Sequence, residues 1–555
     1  MTECVSGKRL RRRSKQVVRM RQQCSISFMH GICTARPSGL PAGAIARGSV
    51  FSIYGSNIGP GTSSTVSAFP IGKTLAGVSI TLTQGAATVD ILPLYVSATQ
   101  INALMPSNAP LGLSSMRLTF NNGRSNPAPV RVTGSAFGIY TLTGTGMGPA
   151  AVLNFVAADN QPFNSFTTPA KPGQVVTMYG TGLGPISTAD SSAPPAVTLP
   201  VPVEVSVGGQ NAGVLYSGRS SCCAGIDQIV FTVPTSAPLG CWVPVSVRTN
   251  GNTTSNVASM SISGDGAACA DAGNPLSATL RNGGRAGVLR LVRSSTREDI
   301  GTLRPLEVAD DLLTFDFAQV KSVPFAYSPL ASLPPAGTCT VFAFSGDYFG
   351  GDSPASVSVI GRRLDAGTSF TVAGPSGSKV VAPFVAGARG ALLGTFAPFV
   401  AGLPNQLSLA PGPYTVQTSG GTDVAAFPLP LTMPGAITWA GRDQLDSVNR
   451  TQPLTLSWRG VADGQSMSIL GGNVDLPTNS SAVFHCLAPP GASSFTVPAA
   501  ILQALPASRS NPLLSRGAVY LSTGHAGNGT LTAVPGLDTA LAVGGQVAGK
   551  TVVFQ

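Results

Sequence analysis

The sequence predicts an all-β chain of tandem immunoglobulin-like β-sandwich domains with little helix, and three observations support this fold class. One segment occurs twice, as residues 48–60 (GSVFSIYGSNIGP) and residues 173–185 (GQVVTMYGTGLGP). Self-similarity of this kind marks repeated structural units. Glycine and proline supply 66 and 45 of the 555 residues, which predicts frequent turns. Short runs in which apolar and polar residues alternate are typical of half-buried strands.

Composition and charge exclude several classes of protein. Apolar residues make up 43% of the chain and charged residues 10%, which is too apolar for a disordered chain. Of the net charge of +11, eight Lys or Arg residues and Glu3 place +7 in the first 22 residues. No clean targeting signal follows these charges, so we interpret residues 1–42 as a disordered or misassigned basic N-terminus. We expect no nucleic-acid partner and no transmembrane segment.

Residues 43–136 are predicted to form the first repeat. In Val50–Tyr54 the side chains alternate between two faces, and Gly55 ends the strand at a turn. Val78–Leu82 alternates in the same way. A further strand at Gln100–Met105 stops at a proline. These short strands separated by turn signals are typical of a β-sandwich.

The second repeat is predicted at residues 171–263, after a packed connector at 137–170. Residues 228–240 (QIVFTVPTSAPLG) match residues 100–112 (QINALMPSNAPLG) at an offset of 128, whereas the first motif repeats at an offset of 125. The change in offset places the insertions between strands, where loops tolerate them.

These repeats resemble the IPT/TIG class of immunoglobulin-like domains. More closely, residues 43–269 resemble the C-terminal module of a family of uncharacterised exported acidobacterial proteins. The residues that carry the resemblance are 169–185 (PAKPGQVVTMYGTGLGP) and 218–229 (GRSSCCAGIDQI), followed by Gly240 and Cys241. The resemblance implies the fold and export of the protein, and it implies no activity.

The remainder of the chain is also predicted to be mostly β. Residues 264–285 are interpreted as a linker, residues 286–432 as a β-sandwich domain and residues 433–555 as a fibronectin-like β-sandwich domain. The fibronectin-like interpretation comes from the strands that contain Trp439 and Trp458. Helix is expected only at 305–313 and 498–505.

The cysteines point to disulfides. The candidates are Cys222, Cys223, Cys241, Cys269, Cys339 and Cys486. The first four lie within 48 residues and allow three pairings, among which the sequence does not choose. The last two are the natural partners of each other, although a cysteine beside His485 also fits a thiol nucleophile. Zinc is the alternative, but there is no C-x2-C pair and the chain has three histidines.

The sequence points to no catalytic, cofactor-binding or metal-binding residues, and no cofactor is expected. Residues 72–74 (GKT) lack the first glycine of a phosphate-binding loop, and the glycines at 180–184 have the wrong spacing for a dinucleotide loop. Trp439 and Trp458 could stack against sugar rings, but core packing is the commoner role of such residues. The acidic residues are expected to form a solvated face: Glu298, Asp299, Glu307, Asp310 and Asp311.

Two functions follow as hypotheses. The first is a non-enzymatic, exported, multi-domain β protein used for adhesion, display or spacing at the cell surface. The second is a carbohydrate-binding or carbohydrate-processing protein with its site in the C-terminal half, and this hypothesis needs exposed aromatic rings. The expected partner is a cell-surface protein or a polysaccharide, the expected location is extracellular or on the cell surface, and the oligomeric state is left open.

Overall fold

The computed structural model describes residues 18–21, 34–35, 44–299, 305–323, 325–328, 331–345, 361–382, 390–396, 407–475, 480–509 and 515–555. Within these ranges the chain is almost entirely β, with two short α-helices. The prediction of an all-β chain of immunoglobulin-like sandwiches is therefore confirmed. Of the predicted basic N-terminus, only two short strands lie among the described residues.

The first sandwich is built from strands within the first 133 residues. Its two faces enclose a core that includes Phe51, Ile80 and Leu118, and a single long strand, β8, crosses from one face to the other. The strands are β1 (Val18–Arg21), β2 (Thr34–Ala35), β3 (Ile45–Ala46), β4 (Val50–Gly55), β5 (Ser64–Thr65), β6 (Thr74–Leu75), β7 (Val78–Gln84), β8 (Ala87–Val96), β9 (Gln100–Leu104), β10 (Gly112–Phe120), β11 (Gly123–Arg124) and β12 (Ala128–Thr133). Except for β2, which pairs with Tyr140 and Thr141 of the second sandwich, they form one hydrogen-bonded array in the order β1-β4-β9-β8-β7-β10-β12-β3.

The second sandwich has the same arrangement of its main strands. Its strands are β13 (Gly138–Thr141), β14 (Val152–Asn154), β15 (Val175–Thr181), β16 (Val197–Thr198), β17 (Val203–Val207), β18 (Gln210–Arg219), β19 (Asp227–Thr232), β20 (Gly240–Thr249), β21 (Thr253–Thr254) and β22 (Ala258–Ile262). The order β15-β19-β18-β17-β20 follows the order β4-β9-β8-β7-β10 of the first sandwich. As β8 does, β18 pairs with one face through its first residues and with the other face through its last.

A buried arginine connects the two sandwiches. Arg219, at the end of β18, is 1% exposed and donates hydrogen bonds to the carbonyl oxygens of Gly48 (2.8 Å) and Gly184 (2.9 Å). Gly48 belongs to the first sandwich and Gly184 to the second. Asp227, which is fully buried, places Oδ1 3.2 Å from Arg219 Nη1 and accepts a hydrogen bond from Leu183 N at 2.8 Å. One ion pair thus holds backbone from both units.

Further contacts complete this connection, which we call the joint. Thr181 Oγ1 accepts a hydrogen bond from Val50 N (2.9 Å) and donates one to Gly225 O (2.6 Å). Gly225 has φ +71°, and a Cβ atom there would lie 2.5 Å from Val50 Cγ2 and 2.7 Å from Leu104 Cδ1. The backbone of the second sandwich therefore packs directly against the first. The apolar cluster at the joint contains Val50, Ile71, Leu92, Leu104, Tyr140, Ala151, Ala224 and Ile226.

The C-terminal body begins with α1 and contains one large sheet and two small ones. Its elements are α1 (Ser277–Asn282), β23 (Gly284–Glu298), β24 (Leu306–Val320), β25 (Thr338–Ser345), β26 (Gly361–Arg363), β27 (Phe370–Gly374), β28 (Gly377–Val381), β29 (Gly390–Phe396), β30 (Gly412–Thr418), β31 (Pro428–Met433), β32 (Thr438–Ala440), β33 (Ser447–Val448), β34 (Leu454–Arg459), β35 (Ser468–Asp475), β36 (Ser480–Leu487), β37 (Ser494–Val497), α2 (Ala499–Gln503), β38 (Ser515–Ser522), β39 (Thr530–Thr532) and β40 (Thr539–Phe554).

The large sheet has the order β25-β36-β35-β38-β40-β23-β24-β26. Its centre is a parallel pair, in which β23 runs beside β40 from Ala286 opposite Thr539 to Arg297 opposite Lys550. The two segments predicted as separate sandwiches, 286–432 and 433–555, therefore share this sheet, and a division at residue 433 does not describe it. The physical reason is long-range backbone pairing, which leaves no local signal in the sequence.

The small sheets, β28-β27-β30-β31 and β32-β34-β37, lie against the large one. Helix was expected in two places. The segment 498–505 contains α2, but 305–313 belongs to β24, because backbone pairing with β23 and β29 on its two sides overrides local preference.

A second connection links the second sandwich to the C-terminal body. Trp242 is 2% exposed and donates from Nε1 to Ala326 O at 3.0 Å. Its ring meets Phe166 edge to face, with centroids 5.4 Å apart. Leu276 and Leu280, at and within α1, are fully buried in the same cluster. The segment 264–285, predicted as a linker, is thus packed in the structure.

Candidate functional site: a cleft in the C-terminal body

A cleft of about 770 Å³ opens on the C-terminal body. Its floor comes from β23 and β40, one wall from residues 408–411, and the other wall from residues 436–444. Pockets for small ligands have volumes of about 300–1,000 Å³, so its size suits a small ligand or one segment of a polymer. The side chains and backbone that line it are Arg293, Ser295, Ser408, Leu409, Ala410, Pro411, Ala436, Ile437, Thr438, Trp439, Gly441, Arg442, Asp443, Gln444, Gln546, Val547 and Ala548.

The floor of the cleft contains an arginine that is held from below by a buried acid. Arg293 Nη1 lies 3.3 Å from Asp311 Oδ2 and donates to Ser408 Oγ (2.7 Å) and Leu409 O (3.0 Å). Asp311 Oδ2 also accepts a hydrogen bond from Leu409 N at 3.1 Å. Arg293 therefore ties the first wall to the floor, and its side chain remains 31% exposed.

Burial changes the acidity of Asp311. It raises the pKa of this carboxyl to about 6, and the hydrogen bond from Leu409 N and the charge of Arg293 oppose the shift. Among the described residues, Asp311 Oδ1 has no hydrogen-bond partner. The prediction that the acidic residues form a solvated face is therefore wrong for Asp311, because the carboxyl lies beneath the wall that contains Leu409.

The second wall is held by a two-fold ion pair. Arg442 Nη1 and Nη2 each donate to an oxygen of Glu307 at 2.9 Å, which is the bidentate geometry that gives such pairs directional strength. Ser295 Oγ also donates to Glu307. Asp443 lies 3.4 Å from Arg442 Nε and 3.6 Å from Arg297 Nε. The positive charges in and around the cleft are thus matched by Asp311, Glu307 and Asp443.

The two tryptophans proposed as stacking platforms lie in the core. Trp439 and Trp458 are direct register partners on β32 and β34, and they are 7% and 2% exposed. Trp458 Nε1 donates to Ala492 O at 2.9 Å. The expectation of exposed ring faces is therefore not met, since the alternation of these strands turns both rings inward. Trp439 still contributes to the wall of the cleft.

Four of the six candidate cysteines form two disulfides, Cys241–Cys269 and Cys339–Cys486. Cys339 and Cys486 are opposite each other on β25 and β36, which places their side chains on the same face. The sequence favoured this pair over a thiol nucleophile. Cys222 and Cys223 belong to neither disulfide.

Two histidines contact serine hydroxyls, but neither histidine lines the cleft. His485 Nε2 lies 2.7 Å from Ser468 Oγ, and His525 Nε2 lies 3.2 Å from Ser466 Oγ. Burial lowers the pKa of His525 to about 4, so its imidazole is neutral at physiological pH. Both histidines are buried, at 1% and 7% exposure, which fits a role in fixing the backbone around β35.

Among the described residues, no group of three or more His, Cys, Asp or Glu could hold a metal ion. No helix in the described part of the chain is long and apolar enough to cross a membrane.

Sequence reasoning missed the cleft. Arg293 and Arg297 share one face of β23 because they are four residues apart in a strand. Glu307 and Asp311 share one face of β24 for the same reason. This four-residue spacing of charges on two strands is the sequence feature that could have indicated the cleft.

Comparisons with known proteins find only distant structural similarities. No protein-family model matches it, and no curated protein matches it. Among solved structures it is similar to SGBP-B from a complex xyloglucan utilization locus in Bacteroides uniformis, with 11% identity over 82% of this chain and 95% of that chain and a TM-score of 0.15. It is also similar to domains 5–6 of the S-layer protein SbsC, with 10% identity over 40% and 91% and a TM-score of 0.14. An I-band fragment of titin matches with 7% identity over 70% and 95% and a TM-score of 0.11. Similarities with scores this low carry no argument about this chain.

Proposed function

We propose that this chain is a non-enzymatic, exported, multi-domain β protein that serves in adhesion, display or spacing at the cell surface. The observation that carries the proposal is the joint. Arg219, at 1% exposure, binds carbonyl oxygens of both sandwiches, and Trp242 connects the second sandwich to the C-terminal body. Such packed connections fit a spacer that holds its C-terminal body in a fixed orientation.

The disulfides support export. Disulfides form and persist in oxidising compartments and are rare in the cytosol of most organisms. The disulfide Cys241–Cys269 links β20 of the second sandwich to the segment before α1. The disulfide Cys339–Cys486 joins residues that are 147 apart in the chain. A protein at the cell surface benefits from such cross-links because they restrict the unfolded chain.

The location is tested in cells that produce the full chain. Intact cells are treated with a protease that cannot enter them, and the chain is then probed in each fraction. We expect the protease to digest the chain on intact cells. When free thiols are alkylated before lysis, we expect no alkylation of Cys241, Cys269, Cys339 and Cys486, because these four cysteines are in disulfides. Full protection of the chain, with these four thiols alkylated, would contradict export.

A second candidate function, binding of a carbohydrate, is favoured by the cleft. Its charges are balanced by Asp311, Glu307 and Asp443, which suits an uncharged ligand. One side offers hydrogen-bonding groups such as Ser295 and Gln546, and the other offers the apolar wall residues Leu409–Pro411. A sugar ring has the same combination of hydroxyl groups and apolar ring faces. The buried tryptophans argue against flat stacking, so recognition would depend on hydrogen bonds.

This candidate is tested with the full chain and two matched variants. Ala410→Arg fills the cleft from its wall, whereas Val380→Arg places the same side chain at an exposed position of β28 outside the cleft lining. Retention on insoluble neutral polysaccharides should fall by about tenfold or more in Ala410→Arg and persist in Val380→Arg, which corresponds to about 1.4 kcal/mol or more. Equal retention of both variants, or none by the native chain, would reject the carbohydrate function. Release of reducing sugar would contradict the non-enzymatic proposal.

A further inference from the structure

The turn between β18 and β19 carries two adjacent thiols at the joint. In this turn Ser220 N donates to Ile226 O at 2.9 Å, and Ile226 N donates to Cys223 O at 3.2 Å. Cys222 is exposed, whereas Cys223 is half-buried and packs against the apolar cluster of the joint. Cys222 is therefore the more exposed of two cysteines that are adjacent in the chain.

The two sulfurs already interact. Cys223 makes a side-chain hydrogen bond to Cys222, and this bond is the main reason why the pKa of Cys222 is lowered to about 6. At neutral pH Cys222 is then mostly thiolate, which is the form that attacks disulfides. The nearby phenol of Tyr179 has a raised pKa because of burial and because of negative charge on both sulfurs. The pair thus combines an accessible nucleophile with a second thiol within hydrogen-bond reach.

Among the four clustered cysteines, the disulfide pattern leaves one further pairing. Four cysteines in the second sandwich and the segment that follows it allow three pairings. Because Cys241 is bonded to Cys269, the only pairing among the four that remains is Cys222 with Cys223. We propose that Cys222 and Cys223 form a redox-active dithiol that closes to a vicinal disulfide by exchange with a disulfide substrate.

The exchange balances in two steps. The Cys222 thiolate attacks one sulfur of the substrate disulfide, whose bond breaks and releases one thiolate. Cys223 then loses its proton to solvent and attacks Cys222 Sγ, which breaks the mixed disulfide and releases the second thiolate. The dithiol loses two electrons and two protons, and the substrate disulfide gains the two electrons. No metal or further oxidant is needed.

The turn that contains Cys222 and Cys223 lies where the two sandwiches contact each other. Gly225, two residues after Cys223, accepts a hydrogen bond from the Thr181 hydroxyl through its carbonyl oxygen, and its backbone packs against Val50 of the first sandwich. Ala224 and Ile226 are buried in the joint. A ring closed between Cys222 and Cys223 would therefore form in backbone that contacts both sandwiches, and Cys222 is the exposed member of the pair.

The test uses the full chain after mild reduction, with oxidised glutathione as the disulfide probe. Native protein should lose the mass of two hydrogens, with neither thiol alkylated in the tryptic fragment that begins at Ser220. Cys223→Ser should instead retain one glutathione on Cys222, because the second step is blocked. Cys222→Ser should react slowly and form no ring. Circular dichroism checks that each variant is folded.

Two results would overturn the proposal. One is a stable glutathione adduct on Cys222 of the native chain, which would mean that Cys223 cannot reach it. The other is a cross-link from Cys222 or Cys223 to Cys4, Cys24 or Cys33. The rate of alkylation of Cys222 gives an independent check, since it should reach half of its maximum near pH 6 rather than near the ordinary thiol value of about 8.5. These outcomes do not depend on where the protein is located or on what the cleft binds.

Discussion

Two ion pairs of the same composition occupy different settings in this molecule. Arg219–Asp227 lies in the joint and Arg293–Asp311 lies at the floor of the cleft, with nitrogen–oxygen distances of 3.2 Å and 3.3 Å. Both aspartates are fully buried, and burial raises the pKa of each to about 6. The arginines differ, because Arg219 is 1% exposed and Arg293 is 31% exposed.

This difference in exposure separates an ion pair enclosed by protein from one that borders an open cleft. The guanidinium of Arg219 donates hydrogen bonds to one backbone carbonyl in each sandwich, and protein atoms shield it from solvent. Arg293 fixes one wall of the cleft and still presents part of its side chain to solvent. The same kind of arginine–aspartate ion pair therefore connects two domains at the joint and supports the floor of an open cleft in the C-terminal body.

The largest effect is expected from breaking the sealed pair. Arg219→Met leaves Asp227 buried without its cation and two carbonyls without a donor, which should destabilise the protein by about 3–5 kcal/mol. Arg293→Met should cost about 1–2 kcal/mol, because water can enter from the cleft. Urea unfolding of the full chain measures both.

The matched control for the sealed pair is Arg248→Met. Arg248 pairs with Glu204 at the surface, where the two side chains are 42% and 49% exposed. Pairs of this kind contribute about 0–1 kcal/mol. Similar losses for Arg219→Met and Arg248→Met would mean that the joint does not depend on the buried pair.

A smaller effect is expected from a single methyl group at the joint. Gly225→Ala places a Cβ atom 2.5 Å from Val50 at a residue with φ +71° and should destabilise the protein by about 2 kcal/mol. Gly213→Ala is the control, since no atom lies within 4 Å of its Cβ position, and it should leave stability unchanged or raise it by about 0.5 kcal/mol. The two thermal midpoints provide the comparison. If Gly225→Ala unfolds at the native temperature, the contact between the sandwiches is looser than described.

The sequence predicted correctly those strands whose formation depends on a few neighbouring residues. The alternation at Val78–Leu82 appears as β7, and the repeated QI…P segment appears as the equivalent strands β9 and β19. Cys339 and Cys486 were paired because few other partners were left to them. In each case the information lies within a few residues or in a count of cysteines.

Contacts between distant segments could not be predicted in the same way. The pairing of β23 with β40 joins strands about 250 residues apart, and neither strand carries a mark of its partner. Arg219 was visible only as one residue of a family-like motif, and its burial depends on Gly48 of the other sandwich. The cleft likewise depends on walls from two small sheets meeting one face of the large sheet.

The last expected effect is a change in the pH dependence of stability that Asp311 causes beneath the cleft. The folded-state pKa of Asp311 is about 6 and its unfolded value is about 3.9, so the folded chain binds this proton more tightly. The stability that protonation of Asp311 contributes is therefore fully present below about pH 4 and is lost as the pH rises to about 6. Arg293 and Asp310 are the charged groups that act on this carboxyl, and their effects oppose each other.

Asp311→Asn should remove this contribution and leave the others in place. Asp227 and Asp271, whose pKa values burial also raises to about 6, change stability in the same direction as Asp311, whereas the lowered pKa of His525 changes it in the opposite direction. The informative quantity is thus the difference between the native chain and Asp311→Asn in urea midpoint, measured from pH 4 to pH 7. That difference should shift in favour of the variant as the pH rises. A difference that is constant with pH would mean that Asp311 titrates as an ordinary solvated carboxyl, and that the floor of the cleft is wetter than its burial indicates.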